Sequence, residues 1–315
     1  MKMKIRVVVN PISGIGRQKK IETVLKTNLN QDIFDYEVCY TERIHHGTEL
    51  AREAADKGYD CVVAVGGDGS VNDVVTGIYG TNTRLGIIPC GSGNGLARCL
   101  KIPLVPALAV RALNQCHEES IDVMTINDKY VSVNLSGVGF DAYIARLMKA
   151  AKSRGFSAYM SFMLREYATY QCNDYQLTID GRQYTRNAWL IAFANSNQFG
   201  YNAAVAPLAK LDDGLIDVVV LDKIPIEHLA LTVPLAYANH FELSQHCEMF
   251  KAKDILVEGN IDKWVNIDGE AENLGTSVHF VNHHQALNIY SRDITRPIVG
   301  IVNEVKPKRP THPVK

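Results

Sequence analysis

The sequence predicts a three-layer α/β domain followed by a mainly antiparallel β-sandwich domain. Up to residue 120, short β-branched runs alternate with amphipathic stretches of helical length. This alternation is typical of helices packed on both faces of a mostly parallel sheet. After Ile121, short strand-like runs follow one another through turns such as Asp180-Gly181. Runs of this kind without intervening helices indicate an antiparallel sandwich.

In the first part, the apolar patterns place strands and helices in strict alternation. The predicted strands are 5–9, 36–40, 61–65 and 85–88, and the predicted helices are 17–29, 47–57, 70–80, 92–100 and 104–115. The second part contains strands at 121–126, 129–135, 174–180, 188–194, 215–221, 254–258, 276–281 and 286–290. Two helical inserts, 141–170 and 226–241, interrupt these strands.

The length of 315 residues suits two domains. We expect an α/β domain at 1–120, a β-rich domain at 121–292 and a C-terminal segment with a flexible tail at 293–315. Whether that last segment returns to the first domain stays open.

Composition excludes several classes of function. The sequence has 33 Lys plus Arg and 34 Asp plus Glu, a net charge of −1, so no global field draws the molecule to nucleic acid. Seven cysteines without a C-x-x-C pair indicate reduced thiols. The first residues enter a strand-like run at once, which leaves no room for a signal peptide. We therefore expect a cytoplasmic protein.

Three glycine clusters follow predicted strands of the first domain. They read Asn10-Pro11-Ile12-Ser13-Gly14, Gly66-Gly67-Asp68-Gly69-Ser70-Val71-Asn72 and Gly91-Ser92-Gly93-Asn94-Gly95. Each lies between a strand and a helix, where bare backbone N–H groups and a helix N-terminus bind phosphate. A single cluster could serve only a tight turn, but three on successive strands favour a nucleotide site. Neither the P-loop nor the dinucleotide G-x-G-x-x-G pattern is present.

These clusters resemble the nucleotide-binding signatures of the diacylglycerol kinase catalytic-domain family, which includes bacterial lipid kinases and the sphingosine and ceramide kinases. The resemblance spans residues 5–292. It implies a two-domain lipid kinase with ATP in the cleft and a lipid substrate approaching from the second domain. It also implies that residues 10–14, Thr41, residues 66–72 and Ser92 contact ATP.

Asp68 is the candidate ligand for a magnesium ion that bridges the phosphates, because its carboxylate lies on a glycine loop. The alternative is that Asp68 is the N-cap of the helix that follows. Both roles can coexist.

Asp268 and Glu270 form the second acidic candidate, in Asn266-Ile267-Asp268-Gly269-Glu270. In an extended chain, residues i and i+2 project to one face, and paired acids there suit proton abstraction. An ordinary Asp-Gly turn is the alternative. The resemblance implies that Glu270 is the proton acceptor with Asp268 beside it. Sphingosine kinases instead assign the base to the acid matching Asp68.

Two further acidic positions follow from the resemblance. It implies a structural magnesium held by the carbonyls of Lys210 and Leu215 and the carboxylate of Asp213, although an Asp-Asp-Gly hairpin turn is the alternative. It also implies that Asp141, in Gly137-Val138-Gly139-Phe140-Asp141, contacts the lipid head group. An N-cap is the alternative for Asp141.

The acceptor remains open between diacylglycerol and a sphingoid base. Bacterial diacylglycerol kinases usually read Gly-Thr-Ala-Asn-Asp at the third cluster, whereas Gly91-Ser92-Gly93-Asn94 is similar to sphingosine kinases. An NAD kinase also stays open, as does a non-catalytic nucleotide or lipid sensor on the same scaffold. The basic, amphipathic stretch 143–170 is compatible with presentation of the lipid at a membrane surface. The sequence is silent about oligomeric state, and a homodimer stays open.

Overall fold

A computed structural model describes residues 2–13, 16–151, 155–198, 200 and 202–292. Gly14 and the predicted tail at 293–315 lie outside these ranges. The first part contains four parallel strands in the spatial order β2-β1-β3-β4. Their bounds are Met3–Val9 (β1), Phe34–Tyr40 (β2), Cys61–Gly66 (β3) and Arg84–Pro89 (β4).

Helices connect these strands. They are α1 (Ile21–Asn28, after a short 3-10 turn at Arg17–Lys20), α2 (His46–Asp56), α3 (Asp68–Ile78), α4 (Gly95–Cys99) and α5 (Pro106–Leu113). α4 is shorter than the predicted 92–100 because Asn94, its N-cap, has a left-handed backbone with φ of 54°. Helix α5 starts at Pro106 because a proline at the first helical position sacrifices no hydrogen bond.

The second part is built mainly of antiparallel strands. They are β5 (Cys116–Ile126), β6 (Tyr130–Ser132), β7 (Leu135–Gly139), β8 (Asn173–Ile179), β9 (Arg182–Ala188), β10 (Leu190–Ala194), β11 (Ile216–Leu221), β12 (Cys247–Ala252), β13 (Asp254–Glu258), β14 (Trp264–Ile267), β15 (Glu270–Asn273) and β16 (Ser277–Arg292). Three helices interrupt them, namely α6 (Phe140–Ala150), α7 (Phe156–Glu166) and α8 (Ile226–Tyr237), with a short 3-10 turn at Phe241–Leu243.

Two sheets face each other in the second part. One has the order β12-β11-β10-β7-β14-β15, and the other contains β16, β13, β8 and β9. Between them Phe193 stacks on Phe280 with ring centroids 3.9 Å apart, inside a cluster of buried apolar side chains. The predicted sandwich is therefore present.

Strand β16 makes one of these sheets continuous with the parallel sheet. Its carboxyl-terminal part pairs in parallel with β4 and in antiparallel with β5, so ten strands form one sheet through both parts. Leu287 and Ile289 accordingly pack in the first hydrophobic core. The two strands predicted at 276–281 and 286–290 are one strand, interrupted by an irregular register between His283 and Leu287.

Other boundaries also differ from the prediction. The predicted strand 129–135 is two strands, and the insert 141–170 is two helices. The sequence did not predict β9, β12, β14 and β15, because these strands are short or carry many polar residues. β9, for example, is mostly polar. Within the described ranges, we find no helix that has both the length and the apolar character needed to cross a membrane.

Candidate active site

The three glycine clusters meet at one edge of the parallel sheet. They follow β1, β3 and β4, which are neighbours in the sheet, and the carboxyl ends of parallel strands share an edge. The backbone N–H of Asn10 donates to the carbonyl of Val65 at 3.1 Å, and that of Cys90 donates to the carbonyl of Gly66 at 2.7 Å. The loops therefore continue the sheet's own hydrogen-bonding pattern.

The second and third loops touch through glycine backbone. A Cβ atom added to Gly67 would lie 3.2 Å from the Cα of Gly91, and one added to Gly91 would overlap Gly67. The Asn94 side chain holds the third loop closed, because its Nδ2 donates to the Gly91 carbonyl at 2.8 Å and its Oδ1 accepts from the Gly91 N–H at 3.1 Å. Asn94 belongs to the third glycine motif but was not predicted as a site residue.

The first loop is joined to the second by Asn10. Its Oδ1 accepts from the Ile12 N–H at 3.1 Å, while its Nδ2 donates to the Ser70 hydroxyl at 3.3 Å. Pro11 and Ile12 are exposed, and Ser13 is buried, with its hydroxyl donating to the Asn10 carbonyl at 3.1 Å. Four of the five predicted residues in this cluster thus line the edge, and Gly14 lies outside the described residues.

The remaining predicted nucleotide contacts lie at different depths. Thr41 follows β2 and donates its N–H to the carbonyl of Val9 at 2.9 Å, which places it beside the first loop. Ser92 is exposed at the tip of the third loop. The Val71 side chain packs in the core of the first part, so only its backbone faces the loops.

The carboxylate of Asp68 links the second loop to the third. Helix α3 begins at Asp68 and its N-cap is Gly67, so the alternative prediction that Asp68 caps this helix is wrong. Instead, its oxygens accept from the backbone N–H groups of Asn94 at 2.8 Å and Gly95 at 2.7 Å, at the N-terminus of α4. Burial raises the pKa of Asp68 to about 6, with a contribution from the nearby Asp268 and opposition from the two N–H donors.

Asp268 lies in a two-residue turn between β14 and β15. Ile267 pairs with Glu270, and Asp268 and Gly269 have φ values of 48° and 99°. Positive φ at both central residues is the geometry that Asp-Gly favours in hairpins. The expectation of an extended Asp268-Gly269-Glu270 segment is therefore wrong.

The Asp268 carboxylate is buried and joins the two parts of the molecule. Five donors reach it at 2.6 to 3.1 Å: the Ser132 hydroxyl, the Asn72 side-chain amide and the N–H groups of Val133, Asn134 and Leu135. Burial raises its pKa, and these hydrogen bonds oppose the shift. Asn72 also donates to the carbonyl of Val131 at 2.7 Å, so the second glycine motif is tied directly to the second part.

Glu270 brings a third carboxylate to the same edge. Its side chain is exposed, and a Cβ atom added to Gly69 would lie 3.6 Å from its Oε1. The hairpin of the second part therefore presents Glu270 to the glycine loop of the first part.

Asp141 is enclosed rather than exposed to the cleft. It is 2% exposed and lies in the first turn of α6, whose N-cap is Gly139, so the alternative N-cap role is also wrong. Its Oδ2 accepts from Asn266 Nδ2 at 2.6 Å and its Oδ1 accepts from the Tyr159 hydroxyl at 3.2 Å. Burial raises the pKa of Asp141 to about 6.

The acidic turn at Lys210–Leu215 is contacted by a lysine on β12 that the sequence did not indicate. Lys251 Nζ lies 2.8 Å from Asp213 Oδ2 and 2.9 Å from Asp217 Oδ2, and the other oxygen of Asp213 accepts from the Leu215 N–H at 3.1 Å. An ammonium group therefore neutralises the carboxylate that we expected to bind a structural magnesium. The residues present do not fit that metal.

Comparison with known proteins agrees with this geometry. Residues 4–126 match the diacylglycerol kinase catalytic domain, and residues 134–290 match the YegS C-terminal NAD kinase beta sandwich-like domain. The chain belongs to the diacylglycerol kinase catalytic-domain family. The family resemblance and the fold class predicted from the sequence are thereby confirmed.

Individual relatives of the family cover most of the chain. A diacylglycerol kinase from Staphylococcus saprophyticus is 27% identical over 86% of this chain and 90% of its own length. A probable lipid kinase YegS-like from Chromohalobacter salexigens is 35% identical over 56% of this chain and 58% of its own length. The crystal structure of a protein from Bacillus anthracis assigned as a diacylglycerol kinase superposes with a TM-score of 0.75 at 25% identity, covering 92% of this chain and 97% of that one.

Proposed function

We propose that the chain transfers the γ-phosphoryl group of ATP to a hydroxyl group of diacylglycerol or a related long-chain lipid, with magnesium as cofactor. The observation that carries this proposal is the meeting of three glycine loops from one part with carboxylates from both parts, Asp68, Asp268 and Glu270. Membership of a family of lipid kinases supports it.

The nucleotide phosphates would bind over residues 10–13, Thr41, residues 66–72 and Ser92. Helix α3 is 11 residues long and starts at Asp68, so its N-terminal N–H groups and partial positive charge point at this edge. Close contact between Gly67 and Gly91 leaves bare backbone there, which lets a phosphate approach.

The carboxylates suit the magnesium that ATP carries. The Asp68 oxygens each accept one N–H, which leaves lone pairs for a hard cation, and the repulsion from Asp268 would be relieved by a positive charge. Asp68 would hold the ion, which neutralises charge on the phosphates when bound.

Glu270 is the proposed general base. Glu270 is exposed beside Gly69 of the glycine loop, where a lipid hydroxyl can approach its carboxylate, whereas Asp268 is only 4% exposed. Glu270 would take the proton of the lipid hydroxyl as its oxygen bonds to the γ-phosphorus and the bond to ADP breaks. Asp268 would act as a positioning residue that holds Asn72 and the turn.

The lipid would be presented at a membrane surface by a protein that is otherwise cytoplasmic. Helices α7 and α8 carry exposed apolar side chains, among them Leu164, Ile226 and Leu231, on the second part of the molecule. Exposed apolar side chains on helices are what a lipid surface binds.

The experiment is phosphoryl transfer from labelled ATP with magnesium to a panel of acceptors in mixed micelles, with the products separated by thin-layer chromatography. The panel contains diacylglycerol, a sphingoid base and, in solution, NAD. A labelled lipid phosphate supports the proposal, and the preferred lipid decides between diacylglycerol and a sphingoid base as the acceptor. Label in NADP alone would establish an NAD kinase, and binding of ATP without any product would establish a sensor.

A further inference from the structure

Helix α6 contacts the β14–β15 hairpin near both ends of the helix. Near its start, Asp141 accepts from Asn266 on β14 at 2.6 Å. Near its end, Lys149 Nζ donates to the carbonyl of Ala271 and to the Glu272 carboxylate, both at 2.7 Å, on β15. Asn266 and Ala271 face each other across the hairpin. The helix thus holds both strands of the hairpin whose turn precedes Glu270.

The Asn266 side chain relays this contact to the turn itself. Its Nδ2 donates to Asp141, and its Oδ1 accepts from the N–H of Gly269 at 2.9 Å. An ionised carboxylate only accepts hydrogen bonds, so Asp141 determines which end of the amide faces the turn. If the amide rotated, its NH₂ group would meet the Gly269 N–H and the turn would lose an acceptor.

Burial of the Asp141 carboxylate lowers the stability of the folded protein when that group is ionised. Asp141 is 2% exposed and Asn266 is 4% exposed. Asp141 forms no ion pair within the described ranges. A buried carboxylate without a cationic partner destabilises the folded state, because desolvation penalises its charge. The proposed transfer of phosphate uses neither residue directly.

We propose that Asp141 and Asn266 form a positioning pair that fixes the Gly269 peptide and thereby aims the Glu270 carboxylate at the glycine loop. The inference rests on the proposed role of Glu270. It differs from the expected contact between Asp141 and the lipid head group, because a positioning pair acts on the turnover number and a substrate contact acts on the KM for the lipid.

The decisive experiment exchanges the two side chains. Asp141→Asn and Asn266→Asp are made singly and together, and kcat and the KM for lipid and for ATP are measured in mixed micelles. Asn266→Asp alone puts two carboxylates in contact, and we expect kcat to fall by about 100-fold, as for loss of a positioned base. In the double variant, the carboxylate at position 266 accepts from both Gly269 and the amide at position 141. We therefore expect kcat to recover to within about threefold of wild type, with both KM values changed by less than about twofold.

A second measurement separates positioning from general damage to the fold. Asn266→Asp is combined with Glu270→Gln, and we expect less than about a twofold further loss of kcat, because the aimed carboxylate is already gone. Independent losses that multiply, failure of the exchange variant to recover, or a raised KM for the lipid in every variant with a changed position 141 would each overturn the inference. A wild type that phosphorylates no lipid in the same assay would refute the proposed function instead.

Discussion

The molecule has two clusters of carboxylates, and the groups that contact them differ in charge. At the acidic turn, Lys251 supplies a positive charge to Asp213 and Asp217. At the candidate active site, Asp68 and Asp268 receive backbone N–H groups, a hydroxyl and an amide, and neither forms an ion pair within the described part of the chain. One cluster contains a cation supplied by the chain, whereas Asp68 and Asp268 in the other are held by neutral donors within the described residues.

This difference shows what each cluster can do. Neutral donors hold a carboxylate in place and oppose the rise in pKa that burial causes, without cancelling the field of the ionised group, so the site stays attractive to a cation. A lysine that contacts two carboxylates offsets part of their negative charge and so weakens their attraction for a metal ion. The same residue type therefore predicts a magnesium–nucleotide site at one place and a purely structural contact at the other.

The largest expected effect comes from Glu270→Gln. Because Glu270 is the proposed base, kcat should fall by about 10²–10⁴-fold, while binding of ATP with magnesium stays close to wild type. Steady-state kinetics and the thermal shift caused by ATP measure the two quantities. Glu272→Gln, on the same strand, is the matched control; its amide oxygen can still accept from Lys149, so the variant should keep most of the activity. If turnover of Glu270→Gln is within about threefold of wild type, Glu270 is not the base and Asp68 becomes the candidate.

The next effect concerns Asp68→Asn, which removes the charge and keeps one acceptor oxygen. We expect affinity for ATP with magnesium to weaken by about tenfold, because the ion loses its carboxylate, so the thermal shift at a fixed nucleotide concentration shrinks. Thermal melting over a range of ATP concentrations gives the affinity. An unchanged shift would remove Asp68 from the nucleotide site.

The pH dependence of that shift tests the same carboxylate without mutation. The pKa of Asp68 in the folded protein is raised to about 6 from its ordinary value of 3.8, so the group ionises only as the pH passes 6. Because the folded protein binds this proton more tightly than the unfolded chain does, protonated Asp68 stabilises the fold. That stability is fully present below about pH 4 and is lost as the pH rises to about 6. Binding of a magnesium complex should grow over the same interval, and Asp68→Asn should flatten this part of the profile.

At the acidic turn, Lys251→Met should lower stability. Asp217 is 2% exposed and would lose its cationic partner, which costs about 1–3 kcal/mol after allowance for the partly exposed lysine. Chemical denaturation measures the change. Lys57→Met is the matched control, because Lys57 pairs with the exposed Glu53 at the end of α2 and its loss should change stability much less. Equal losses in both variants would show that Lys251 contributes only a surface ion pair.

Features that depend on consecutive residues could be predicted from the sequence, whereas contacts between distant residues could not. The glycine clusters and their strands were predictable because each depends on a few consecutive residues. The link from Asp68 to Asn94 spans 26 residues, and the link from Asp268 to Ser132 spans 136, so neither follows from a local pattern. Asp-Gly at positions 268 and 269 did carry a turn signal. Lys251 carried none, because its contact with Asp217 depends on the register of β11 and β12.

The smallest expected effect is the response of the wild-type protein to EDTA in the absence of nucleotide. Since the ammonium of Lys251 contacts both Asp213 and Asp217, the cation at the acidic turn is part of the chain and a chelator cannot remove it. The melting temperature should therefore stay unchanged, and added magnesium should not raise it. A fall in melting temperature with EDTA that disappears in Asp213→Asn would show that a metal displaces Lys251 from Asp213. A fall that persists in Asp213→Asn would locate the metal elsewhere, and the carboxylates around Asp68 would be the first place to test.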